Sequence, residues 1–80
     1  MPTIKRIGPY RFYFFSHEPN EPPHVHIDRD DQTAKFWLQP VSLASNLGFN
    51  ARELKRLEAY VEEFQLDFTE AWHDHFGTGN

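Results

Sequence analysis

An α+β fold follows from three features of this 80-residue chain. Its first half alternates apolar and polar residues in short runs, as half-buried strands do. Turn signals separate those runs by a few residues, which favours antiparallel neighbours in a small meander. Its last third repeats apolar residues at steps of three and four, the pattern of an amphipathic helix. The expected architecture is an antiparallel β-meander of three to five strands. One long or bent C-terminal helix then packs on the sheet.

Thr3 to Ile7 reads as a short first strand, closed by the Gly8-Pro9 turn. Tyr10 to Phe15 (Tyr-Arg-Phe-Tyr-Phe-Phe) is dense in residues of high β-propensity and reads as the second. Ser16 to Pro23 holds three prolines and reads as a loop. His24 to Arg29 is the next strand, Asp30-Asp31 its turn, and Thr33 to Leu38 the strand returning from it. With that turn, Val25 faces Phe36 and Ile27 faces Ala34, which builds one apolar layer. His24 then faces Trp37, His26 faces Lys35 and Asp28 faces Thr33 on the opposite side. A slip by one residue would mix the two sets, so the pattern selects this register. Pro40 interrupts, and Val41 to Leu43 adds a short edge strand. Gly48 marks a turn. Asn50 with Glu53 opens the helix as a loose capping box. Leu54, Leu57, Val61, Phe64, Phe68, Ala71 and His75 form the helical stripe, with a bend expected near Phe64–Leu66. Gly77 ends it.

Eighty residues make a single domain, 1–80, with a thin margin of stability. Leu, Ile, Val and Phe supply 20 residues and Phe alone eight, so rings build much of the core. The absence of cysteine excludes disulfides, thiolate catalysis and cysteine-ligated zinc. No signal peptide and no apolar run near ~20 residues is visible, so a cytoplasmic protein with no membrane partner is expected. The net charge is −4. Residues 1–48 balance five bases against five acids, whereas residues 49–80 carry three against seven. This balance is not the overall footprint of a duplex-binding protein, which usually shows a broad basic face, and it leaves open a local basic face on the N-terminal sheet.

The most informative segment is Glu-Pro-Pro-His-Val-His-Ile-Asp at residues 21–28. On a strand, His24 and His26 share one face, expected to be exposed, because side chains alternate with period two. Imidazole titrates near neutrality, moves protons and binds metals. His24, His26 and Lys35 could supply the base, acid and phosphate-holding cation of metal-free RNA cleavage. Trp37, Tyr10 or Tyr13 could stack an unpaired base. The plainer alternative is that these rings are core residues and the histidines ordinary strand positions. A metal centre would need more ligands, and His17, Asp28, His73 and His75 are the candidates. No spacing forces such a set, so no cofactor is expected. Arg52, Lys55 and Arg56 form a basic cluster in the first helical turns, read either as a docking point for phosphate or an acidic protein, or as a solvated face.

Glu-Pro-Pro-His-Val-His at 21–26, Ala-Lys-Phe-Trp-Leu at 34–38, Gly-Phe followed by Glu-Leu within 48–54, and Trp72 with Phe76-Gly77 resemble the bacterial domain-of-unknown-function 4160 family. The resemblance covers nearly the whole chain. It implies a short cytoplasmic protein, often encoded beside a member of the domain-of-unknown-function 2442 family, an arrangement that suggests a toxin–antitoxin pair. His24, His26, Lys35, Trp37, Trp72 and His73 match stressed positions, whereas His75 departs from a common aromatic. Two functions are therefore expected in competition. One is a toxin-like enzyme acting on RNA through His24, His26, Lys35 and His73. The other is a non-catalytic interaction module that binds a small partner protein encoded nearby, with a metal-binding histidine site as a variant. Exposed strand edges also leave room for a homodimer.

Overall fold

A computed structural model describes residues 3–15 and 20–77. Five strands run in chain order through one antiparallel sheet. They are β1 (Thr3–Ile7), β2 (Tyr10–Tyr13), β3 (His24–Arg29), β4 (Gln32–Leu38) and β5 (Val41–Leu47). Two helices follow, α1 (Ala51–Glu63) and α2 (Gln65–Phe76).

The β3–β4 hairpin has the register read from the alternation, from His24 opposite Trp37 to Asp28 opposite Thr33. Asp30 takes a positive φ of 56° at its tip, a conformation that Asp tolerates better than most residues. β5 is longer than the expected Val41–Leu43. Gln39 and Pro40 make a two-residue turn through a cis bond, and pairing then continues to Leu47. The Ala-Ser-Asn tract has low β-propensity, and pairing with β4 overrides it. Ala44 is the extra residue of a bulge, because Lys35 faces Ser45 while Phe36 faces Leu43. Gly48 turns the chain toward α1 with φ 104°, and a Cβ there would lie 2.9 Å from Cγ of Gln32. Both facts demand glycine.

The expected single helix is two helices. Phe64 breaks the helix with φ −106° and ψ 19°. Its ring packs near Phe68 and beneath the Lys5 ammonium, and the Gln65 side chain donates to the Leu38 carbonyl. The sheet thus holds the first residue of α2. After the break the buried stripe runs through Phe68 and Trp72, with Ala71 and Phe76 half-buried against the core, and leaves His75 out. His75 is exposed. α1 packs over β5 and β4, and α2 over β3 and β4.

Asn50 accepts from the Glu53 N–H as the helix cap. Glu53 does not complete a capping box. Its carboxylate accepts from the Tyr10 hydroxyl at 2.8 Å and pairs with Arg29, whose Nε lies 2.8 Å from Oε2. Gly77 closes α2 in the left-handed region at φ 66°. The core lies between the helices and one sheet face, with Phe12, Val25, Ile27, Phe36, Leu57 and Phe68 fully buried.

Candidate functional site

The sheet face turned away from the helices is built by residues that directly oppose one another. Tyr13 faces His26, His26 faces Lys35, and Lys35 faces Ser45, which makes a row across β2 to β5. The next row runs Arg11, Asp28, Thr33, Leu47. An open groove of about 390 Å³ lies along these rows. Tyr13, Phe15 and His26 form a ring wall, and Asp28, Asp30 and Asp31 supply carboxylates, with Lys35 and Ser45 also in the lining.

The histidine pair is not exposed, contrary to the spacing argument. His24 has no solvent exposure and His26 only 8%. The period-two geometry holds, since the two rings meet at 5.1 Å. What alternation does not reveal is the cover. The His24 ring packs 4.7 Å from Trp72 of α2 and 5.7 Å from Trp37. Its Nδ1–H donates to the Pro22 carbonyl at 2.9 Å, and a carbonyl only accepts, so that nitrogen carries a proton. His26 stacks on Tyr13 at 5.4 Å, and Phe15 meets it edge-on at 4.5 Å. Such ring pairs add about 0.5–1.5 kcal/mol beyond their burial.

Glu21, Pro22 and Pro23 form a strap along the start of β3. The Leu38 N–H donates to the Pro23 carbonyl, and the Lys35 ammonium bonds the Glu21 carboxylate. Lys35 also lies 4.6 Å from the centre of the Trp37 ring. The proline–histidine block therefore has a mechanical role as a tie between β3, β4 and the chain before them. Lys35 takes part in that tie instead of presenting an unpaired cation.

Asp28 accepts from the Tyr13 hydroxyl at 2.9 Å. Burial, and then this bond to a carboxylate, raise the Tyr13 pKa above its ordinary value. Burial and the Glu53 bond do the same to Tyr10. Tyr10 is enclosed by Phe49 and Tyr60 on the helix side and is not placed to stack a base.

Of the four expected catalytic residues, His26 and Lys35 line the groove. His24 lies beneath the strap, and His73 is half-buried in the last turns of α2, outside the groove lining. Of the proposed metal ligands, His17 lies outside the described residues. Among the described residues, no group of three or more His, Cys, Asp or Glu is arranged to hold a metal ion. No helix among them is long and apolar enough to cross a membrane. Arg52 and Arg56 flank Glu53 and Asn50 around a small pocket of about 140 Å³. Phe15, Glu21 and Ser45 are absent from the sequence-based site. The β2–β3 pairing spans a loop, and no local signal sets its register.

A family model described as Domain of unknown function (DUF4160) matches residues 10–73, from the start of β2 into the last turns of α2. The chain belongs to this family. The DUF4160 match includes the strap, the row from Tyr13 to Ser45, and both Trp37 and Trp72, so the groove and its supports are family territory. β1 lies outside it. No curated protein and no solved structure matches the chain significantly.

Proposed function

We propose that this chain is a non-catalytic interaction module that binds a small partner protein by adding a strand of that partner to β5. The carrying observation is the outer edge itself. β5 is seven residues long, has no charged residue, and exposes Leu43 at 45% and Leu47 at 68%. Outer strands are usually protected by charge, proline or shortness. The opposite edge follows that rule, since β1 carries Lys5 and Arg6. An unprotected edge suits strand addition, in which main-chain hydrogen bonds give affinity and side-chain pockets give specificity.

Co-expression with the product of the neighbouring gene tests this reading. The two proteins should co-purify, and L43Q/L47Q should weaken the complex by about tenfold while the variant stays folded, tenfold being about 1.4 kcal/mol. A complex indifferent to both substitutions, or no complex at all, would overturn it.

A toxin-like action on RNA is the second reading, favoured by the convergence of His26 and Lys35 on one groove. H26N and K35M should then relieve growth arrest in cells expressing the protein. Harmless expression of the unaltered chain would remove it.

A further inference from the structure

We infer that the partner strand carries an apolar side chain on each of its two faces, at positions three apart, with no charge between them. This rests on the strand-addition reading and adds the pattern that β5 selects.

Three observations carry it. First, the two exposed leucines of β5 lie on opposite faces of the sheet. Leu43 opposes Phe36, whose ring is buried on the helix side, and Leu47 opposes Thr33 in the outer row. Residues four apart share a face in a regular strand. The extra residue at Ala44 breaks that parity. Second, neither face is covered at the edge. Leu43 stays exposed although the helices pack on its side of the sheet, and Leu47 is more exposed still. Third, Ala44, Ser45 and Asn46 lie between them and carry no charge, so the stretch calls for none on its neighbour.

Side chains of an added strand lie directly across from those of β5, about 5 Å away and on the same side of the sheet. The residue across from Leu43 therefore points to the helix side, and the residue across from Leu47 to the outer side. On the paired edge, residues 43–47 of β5 span only residues 33–36 of β4. A regular strand on the free edge matches the same stretch in the same way. Its two apolar residues are then three apart, whichever way it runs. A strand apolar at even spacing covers one leucine and leaves the other in water.

A second copy of this chain does not supply this pattern. Val41 and Leu43 belong to the helix side, since they oppose Leu38 and Phe36. Leu47 therefore finds an apolar match on its own face only in the Leu47 of the other copy. That antiparallel register carries Leu43 beyond the end of the other copy's β5.

The test uses the full chain and synthetic peptides as long as β5, built of Thr and Ser with two leucines placed two, three or four positions apart. Their composition is constant, so only spacing varies. Binding is read by fluorescence anisotropy. The peptide with leucines three apart should bind about fivefold tighter than either isomer. L47Q should erase that preference, because one leucine then remains to be covered, and circular dichroism checks that the variant is folded. A three-apart peptide N-methylated on alternate residues separates the two claims, since it keeps the leucines and loses the main-chain bonds. If it binds as well as its parent, strand addition is wrong. If the three isomers bind equally and N-methylation abolishes all of them, strand addition stands and the spacing is wrong. Tighter binding of an even-spaced isomer, no binding at about 1 mM peptide, or a dimer of the free chain that L43Q/L47Q dissolves would each overturn the proposal.

Discussion

His24 is a side chain whose chemistry is spent on structure. Its ring has no exposure, touches Trp72 and Trp37, and donates from Nδ1 to the Pro22 carbonyl. Truncation would leave a cavity between the sheet and α2 and free the strap. Large-to-small changes at such sites cost about 3 kcal/mol. His24→Ala should therefore lower Tm by roughly 10 °C or more in a domain of this size. Calorimetry checks this, and a change of only a degree or two would show that the ring does not hold the strap. Replacing His24 is consequently a poor probe of catalysis, since lost activity and lost fold would coincide. H26N acts on the groove while leaving His24 and the Lys35–Glu21 tie in place.

At the scale of elements, α1 is joined to the sheet by Glu53 more strongly than by its own cap. Asn50 contributes an ordinary N-cap, and its replacement by Ala should cost about 1 kcal/mol. Glu53 binds the Tyr10 hydroxyl on β2 and Arg29 at the end of β3. Glu53→Ala would strip the Tyr10 hydroxyl of its acceptor and leave Arg29 its bond to Gln32 alone, and the loss should reach about 2 kcal/mol. Urea denaturation of the two variants compares them directly. Equal losses would mean that the carboxylate's tertiary bonds contribute nothing beyond the cap region. The break at Phe64 belongs to the same scale. It lets α1 cover β4 and β5 while α2 turns across β3 and β4.

For the whole molecule, one sheet face is packed under helices and the other carries the groove, as antiparallel sheets allow. A buried tyrosine serves each face, Tyr10 bonded to Glu53 and Tyr13 bonded to Asp28. Both are raised above the ordinary phenol value by burial and then by the adjacent carboxylate. The folded state thus favours the neutral phenols. Their contribution is fully present below the unfolded-state value of about 10, and it is lost as pH climbs past it toward the folded-state values. Stability should fall steeply in that alkaline window. Tyr13→Phe should flatten the fall, as urea midpoints measured across the window would show. An unchanged slope would mean that Tyr13 ionises alike in both states.

Local sequence pattern sets the α+β order, the β3–β4 register, the Asn50 cap and the stop at Gly77. Each is a local matter of alternation, turn chemistry or helix-end hydrogen bonding within a few residues. It also paired His24 with Trp37 and His26 with Lys35, because only one register separates the apolar and polar sets. Tertiary structure alone decided that His24 is covered, that Lys35 pairs with Glu21, that β5 runs to Leu47, and that the helix breaks at Phe64. Those outcomes depend on segments distant in sequence: Trp72 folding back onto β3, Glu21 reaching Lys35 on β4, and Gln65 reaching Leu38. Periodicity assigns a residue to a face. It does not say whether that face meets water, because the covering atoms come from elsewhere in the chain.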